Sequence, residues 1–199
     1  MSRVVVLAPH ERPPGRAFAD PDLVTGDCIR LIGLIRDLHA APESIHGGPG
    51  RDRLITTAAG RSYGDAPVSI VGFFGERRAE GCPSVAAQVE KVNADMIEGF
   101  DAFPLLLGYV SRKLDDEFNY VNLVVLRGAD GIEKWRDVPQ HVTAVTDLAP
   151  RFYNSVRIYN GSLPGGLSCA EQLQLRVVKY WDYRKSTVWQ AMRTLSPSS

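Results

Sequence analysis

A chain of 199 residues with 44% hydrophobic and 23% charged side chains can bury a sizeable core, and its composition excludes a disordered or fibrous protein. Lys plus Arg, 23 in all, balance 23 Asp plus Glu, so no overall basic field recruits nucleic acid or an anionic membrane surface. No apolar run approaches the ~20 residues that span a bilayer, and the N-terminus lacks the apolar core of a signal peptide, which together predict a cytoplasmic location.

In chain order, Arg3 to Ala8 predicts a short strand, and Pro9, Pro13 and Pro14 then hold the backbone in an extended loop. Asp20-Pro21-Asp22 is a helix start, after which Cys28, Leu31, Ile35 and Leu38 recur at helical spacing. The segment Glu43 to Arg53 carries Gly47-Gly48-Pro49-Gly50, which no regular element tolerates. Gly60-Arg61-Ser62-Tyr63-Gly64 lacks both the P-loop lysine and the dinucleotide-binding spacing, so phosphate binding finds little support there. Val68 to Gly75 predicts a strong strand. Ser84 opens a helix whose Val85, Val89, Val92, Met96 and Phe100 form an apolar stripe.

Two β-rich runs follow, Leu105 to Lys113 and Phe118 to Arg127, joined by the polar turn Leu114-Asp115-Asp116-Glu117 as an antiparallel hairpin. A helix over 130–149 is expected next, with Asp130 and Glu133 forming a capping box, and then a strand over 152–160. Leu173 to Tyr183 alternates as a further strand, and Val188, Trp189, Met192 and Leu195 suggest a terminal helix. Cys28, Cys82 and Cys169 are far apart, odd in number and without CxxC spacing, which argues against a disulfide framework or zinc knuckle. No pair of histidines has metal-ligand spacing, and no metal is implied.

The order from 67 to 162 is βαββαβ, an α+β ferredoxin-like unit, flanked by an N-terminal extension over 1–66 and a C-terminal strand and helix over 163–199. Residues 1–66 could also represent a degenerate first copy of the same unit. In the second hairpin strand, Val121, Leu123 and Val125 make an aliphatic face suited to packing under helices. Phe118, Tyr120, Asn122, Val124 and Leu126 make the other. On the closing strand, Tyr153, Ser155, Arg157 and Tyr159 form the polar side. A mixed apolar and polar face of this size predicts a partner, and a symmetric homodimer with two sheets closing round a cavity would supply it.

The runs Tyr120 to Leu126, Ile132-Glu133-Lys134-Trp135 and Val138-Pro139-Gln140-His141 resemble the dimeric α/β-barrel superfamily, which includes antibiotic-biosynthesis and haem-degrading monooxygenases. The resemblance covers roughly 67–162 and implies a dimeric barrel around a small-molecule cavity. Asn122 stands where the cofactor-independent oxygenases carry an asparagine, and Leu126 replaces the tryptophan that follows it. Trp135 matches a haem-contacting tryptophan of the haem-degrading branch, but Val145 occupies the position of its iron-ligating histidine. Haem is therefore disfavoured and no cofactor is expected. The resemblance implies a monooxygenase-like enzyme acting on an aromatic or polyketide-type substrate, with a cyclase or isomerase, a haem-binding member and a non-catalytic ligand-binding dimer as alternatives.

The candidate catalytic residues are Asn122 to hold an oxyanion, His141 as base and Arg157 as an anion partner; Tyr109, Tyr120, Leu126, Trp135 and Tyr159 are candidate substrate contacts. Each has a structural alternative. Tyr120 and Asn122 could be interface polar groups, Trp135 core, His141 a surface or capping group, and Arg157 needs an anion that either the protein or a substrate could supply.

Overall fold

The structure, a computed structural model, describes residues 4–41, 45–46, 52–114, 116 and 119–196. The expectations for Gly47-Gly48-Pro49-Gly50, for Asp115 and Glu117 in the hairpin turn and for Phe118 lie outside the described residues.

The elements are β1 (Val5–Val6), α1 (Leu23–Ala40), β2 (Ile45–His46), β3 (Arg53–Thr56), α2 (Ala58–Tyr63), β4 (Val68–Arg77), α3 (Pro83–Glu98), β5 (Leu106–Lys113) and β6 (Tyr120–Leu126). They continue with α4 (Gly128–Arg136), α5 (Pro139–Thr143), a π turn (Ala144–Leu148), α6 (Ala149–Phe152), β7 (Tyr153–Leu163), β8 (Gln174–Asp182) and β9 (Trp189–Thr194). The strands build one sheet in the order β1-β9-β8-β7-β4-β6-β5-β3-β2. Its centre, β7-β4-β6-β5, is the antiparallel ferredoxin-like arrangement made from the expected βαββαβ unit. The flanking segments widen this sheet at both edges.

Two expected helices fold differently. The run 130–149 is broken because Pro139 pushes Val138 out of the helical region, to φ −62° and ψ 123°. The first piece starts at Gly128, two residues before Asp130, so there is no capping box; Asp130 lies in the first turn and faces Lys134 at 3.7 Å. The terminal helix is instead β9, paired antiparallel to β8 and parallel to β1. Its inward residues are Ala191 and Arg193, 2% and 1% exposed. The Arg193 guanidinium donates to the carbonyls of Pro9, Glu11 and Ala19, so an arginine occupies a core position that hydrophobic periodicity cannot reveal.

Both sheet faces are covered from within the chain. Val121, Leu123 and Val125 pack under a helix as expected, but that helix is α1, whose Leu31, Leu34, Ile35 and Leu38 join them in the larger core. Gly72 makes the close approach possible: a Cβ there would lie 2.6 Å from a Leu31 methyl. The mixed face, expected to meet a second copy, carries a smaller core of Ile55, Phe100, Leu106, Tyr109, Val124, Leu126 and Trp135 beneath α3 and α4. A barrel closed by two opposed sheets is therefore not how the mixed face is covered.

Candidate functional site

Cross-strand pairing lines up the cavity wall. Arg53 on β3 faces Ser111 on β5, Ser111 faces Asn122 on β6, Asn122 faces Phe73 on β4, and Phe73 faces Ile158 on β7. Directly paired residues share a face, so this row presents a cation, a hydroxyl, an amide, a phenyl ring and an aliphatic group to the same side. The next row on that face adds Tyr109, Val124 and Val71. Above the sheet lie Val89, Val92 and Met96 of α3, which are members of the stripe read from the sequence, together with Trp135, His141 and the π turn. Between the layers is a cavity of about 190 Å³.

Tyr153 enters this cavity through an irregularity. Along β4 and β7, Glu76 pairs with Ser155 but Arg77 pairs with Tyr153, so two steps on β7 match one on β4. That bulge moves Tyr153 to the face opposite Ser155 and Arg157. Its ring then lies against Phe73 and Phe152, with centroids 5.3 Å and 4.9 Å away, over Gly75, where a Cβ would come within 2.3 Å of it.

Of the expected site residues, Asn122, Tyr120, Tyr109, Trp135 and His141 all line the cavity. Leu126 does not; it is fully buried in the core under α4. Arg157 and Tyr159 lie on the opposite sheet face, since Arg157 pairs with Phe74 and Tyr159 with Gly72. There the anion that Arg157 requires is Asp27 of α1, which accepts from Arg157 Nη2 at 2.9 Å and from the Tyr159 hydroxyl at 2.7 Å. A sequence separation of 130 residues hid that partner. The reading also missed Arg53, Glu90 and Asn93; the last two stand three apart on α3, a signal that could have placed them on one helix face.

Two residues that line the cavity each carry a buried acceptor atom without a partner among the described residues: Asn122 Oδ1 and His141 Nδ1. The His141 ring stands 5.4 Å from that of Trp135. Burial pushes the His141 imidazole below its ordinary value, the Arg136 charge acts in the same direction, and a hydrogen bond with the Arg136 main chain opposes both. Burial raises the Tyr109 phenol, against a hydrogen bond from Ser111 and the Arg53 charge, and burial also raises Tyr153. Tyr109 donates to Asn93 Oδ1 at 3.4 Å.

No family model matches the chain, and no curated protein does. Among solved structures, the chain is similar to a dimeric ferredoxin-like protein of unknown function from Thermobifida fusca, at 16% identity and a TM-score of 0.40, over 52% of this chain and 95% of the other. It is also similar to a mutant of SnoaB, a cofactor-independent oxygenase from Streptomyces nogalater, at 21% identity and a TM-score of 0.34, over 49% of this chain and 90% of the other. At these values the likeness says nothing of activity.

At neutral pH the residues that line the cavity therefore include an uncharged imidazole and an amide whose buried acceptor atoms lack donors, with the Tyr109 and Tyr153 phenols protonated. A ligand that donates from a hydroxyl satisfies what the wall lacks. Among the described residues no group of three His, Cys, Asp or Glu side chains could hold a metal ion, and no helix is long and apolar enough to cross a membrane. Val145 lines the cavity with an aliphatic group.

Proposed function

We propose that the chain is a cofactor-independent, monooxygenase-like enzyme that binds a hydroxylated aromatic in the cavity between the sheet and α3–α6. The observation that carries this reading is the pair of buried, unpartnered acceptors, Asn122 Oδ1 and His141 Nδ1, on two residues that line a largely apolar cavity. A buried acceptor without a donor costs about 1–3 kcal/mol, which a ligand hydroxyl recovers on binding. The size of the cavity favours one or two rings over a larger polycycle: a dry cavity of ~150 Å³ in another protein holds benzene.

In the reaction, the substrate hydroxyl gives its proton to neutral His141 Nδ1, and the Asn122 amide, whose oxygen has no internal partner to hold it, turns its N–H toward the resulting phenolate. The phenolate supplies an electron pair to dioxygen at a ring carbon, forming a C–O bond, and His141 returns its proton to give a hydroperoxide. Loss of the hydrogen on that carbon together with the terminal hydroxide leaves a quinone and one water, so one dioxygen is consumed per substrate. Exclusion of water by the apolar wall favours the proton transfer and protects the intermediate.

An oxygen electrode with one- and two-ring naphthols tests the reading. The expected outcome is oxygen uptake equimolar with substrate loss, slowed about 10²- to 10⁴-fold in His141→Ala. Turnover without oxygen uptake would instead mark an isomerase or cyclase, and binding without chemistry would mark a ligand-binding protein.

A further inference from the structure

The cavity has a second polar end that the proton transfer leaves unused. Arg53 and Asn122 belong to one paired row with only Ser111 between them, so their backbones are two strand spacings, about 10 Å, apart. Arg53 Nη2 donates to Glu90 Oε2 at 3.0 Å, and the two side chains are 8% and 31% exposed. Both line the cavity, and Glu90 descends from α3 on the side opposite the sheet. Asn93, one helical turn along α3, and Ser111 complete this end.

An ion pair set into an apolar wall costs desolvation that well-packed apolar side chains would avoid. Its position on the cavity, and not in either core, indicates that it meets a ligand. The pair is neutral overall, so it offers strong hydrogen-bonding groups without a net charge to attract an anion. A carboxylated ligand would have to compete with Glu90 for Arg53, whereas a hydroxyl can donate to the carboxylate and leave the pair intact.

We infer that the Arg53–Glu90 pair selects the substrate by binding a second hydroxyl, remote from the one held by Asn122 and His141. The ligand class is an uncharged, flat, two-ring aromatic with hydroxyl groups at opposite ends of its long axis. This rests on reading the cavity as the site for a hydroxylated aromatic and adds the position of the second group.

Isothermal titration of the full chain with β-naphthol and with the naphthalenediol hydroxylated at both ends of its long axis tests it. The diol should bind about tenfold more tightly, as befits one added hydrogen bond to a charged acceptor. In Glu90→Gln the advantage of the diol over β-naphthol should fall to about twofold, as a neutral acceptor replaces a charged one. Asn122→Ala should weaken both ligands alike. Equal binding of the two ligands by the wild-type chain would overturn the inference without any variant, and would leave the hydroxylated-aromatic reading standing. A Glu90→Gln protein that loses both ligands equally would make the pair structural. Failure of both ligands to bind the wild-type chain would overturn the underlying reading along with the inference.

Discussion

Asn122 and His141 line the cavity and each carry a buried acceptor without a partner. A buried amide oxygen and a buried imidazole nitrogen without partners cost stability that a ligand donor would recover. Asn122→Ala should lower turnover by about 10²-fold, the lower end for a lost oxyanion donor. Because the Asn122 oxygen has no internal partner to strand, the melting temperature should stay level or rise; turnover and melting measured on one sample check both. A fall of several degrees with full turnover would make the residue structural. For His141, burial lowers the pKa from its ordinary value of 6.5, so the neutral base persists below that pH. The kcat/KM profile should rise with pH through this lowered value and be flat through neutrality, and the acidic limb should vanish in His141→Gln. The same depression means the folded state takes up the proton less readily than the unfolded chain, so stability should decline as pH falls from about 6.5 toward the folded value.

At the scale of elements, α1 separates the two faces of the sheet into different roles. It seals the aliphatic face and carries Asp27, 4% exposed, to Arg157 and Tyr159. Asp27→Ala leaves the Arg157 cation without its buried anion and should cost about 3–5 kcal/mol, read from denaturant unfolding. Turnover per folded molecule should be unchanged, since the cluster lies across the sheet from the cavity; a selective loss of turnover would return Arg157 to the site.

The βαββαβ order was legible because each strand and helix of residues 68–163 carries its own period, and the Asn122 face could be read from alternation along β6. Alternation failed on β7. The bulge beside Arg77 reverses the parity of Tyr153, and only Asn122 pairing through Phe73 to Ile158, not to Arg157, fixes which side of β7 faces the cavity. The role of α1 was hidden for a similar reason: its apolar face shows that it packs, but nothing local shows against which side of the sheet. Val188, Trp189, Met192 and Leu195 suggest a helix by their spacing, whereas the strand that forms turns Ala191 and Arg193 inward, the arginine held by carbonyls.

For the whole molecule, the residues named for proton transfer and for the second hydroxyl line one cavity of about 190 Å³ between the sheet and its covering helices, which predicts that binding does not depend on assembly. Ligand affinity should not vary over protein concentrations that change the mass seen by light scattering, whatever the assembly proves to be. An affinity that strengthens on self-association would mean that a second copy completes the site.

The most direct measurement is the nitrogen-15 spectrum of the His141 ring, assigned against His141→Gln, during titration with β-naphthol at neutral pH. The expected result is that Nδ1 shifts from a free acceptor to a hydrogen-bonded or protonated nitrogen in proportion to ligand bound, with a weaker response in Asn122→Ala. A ligand that binds while the His141 ring stays unperturbed would contradict a hydroxyl held by Asn122 and His141.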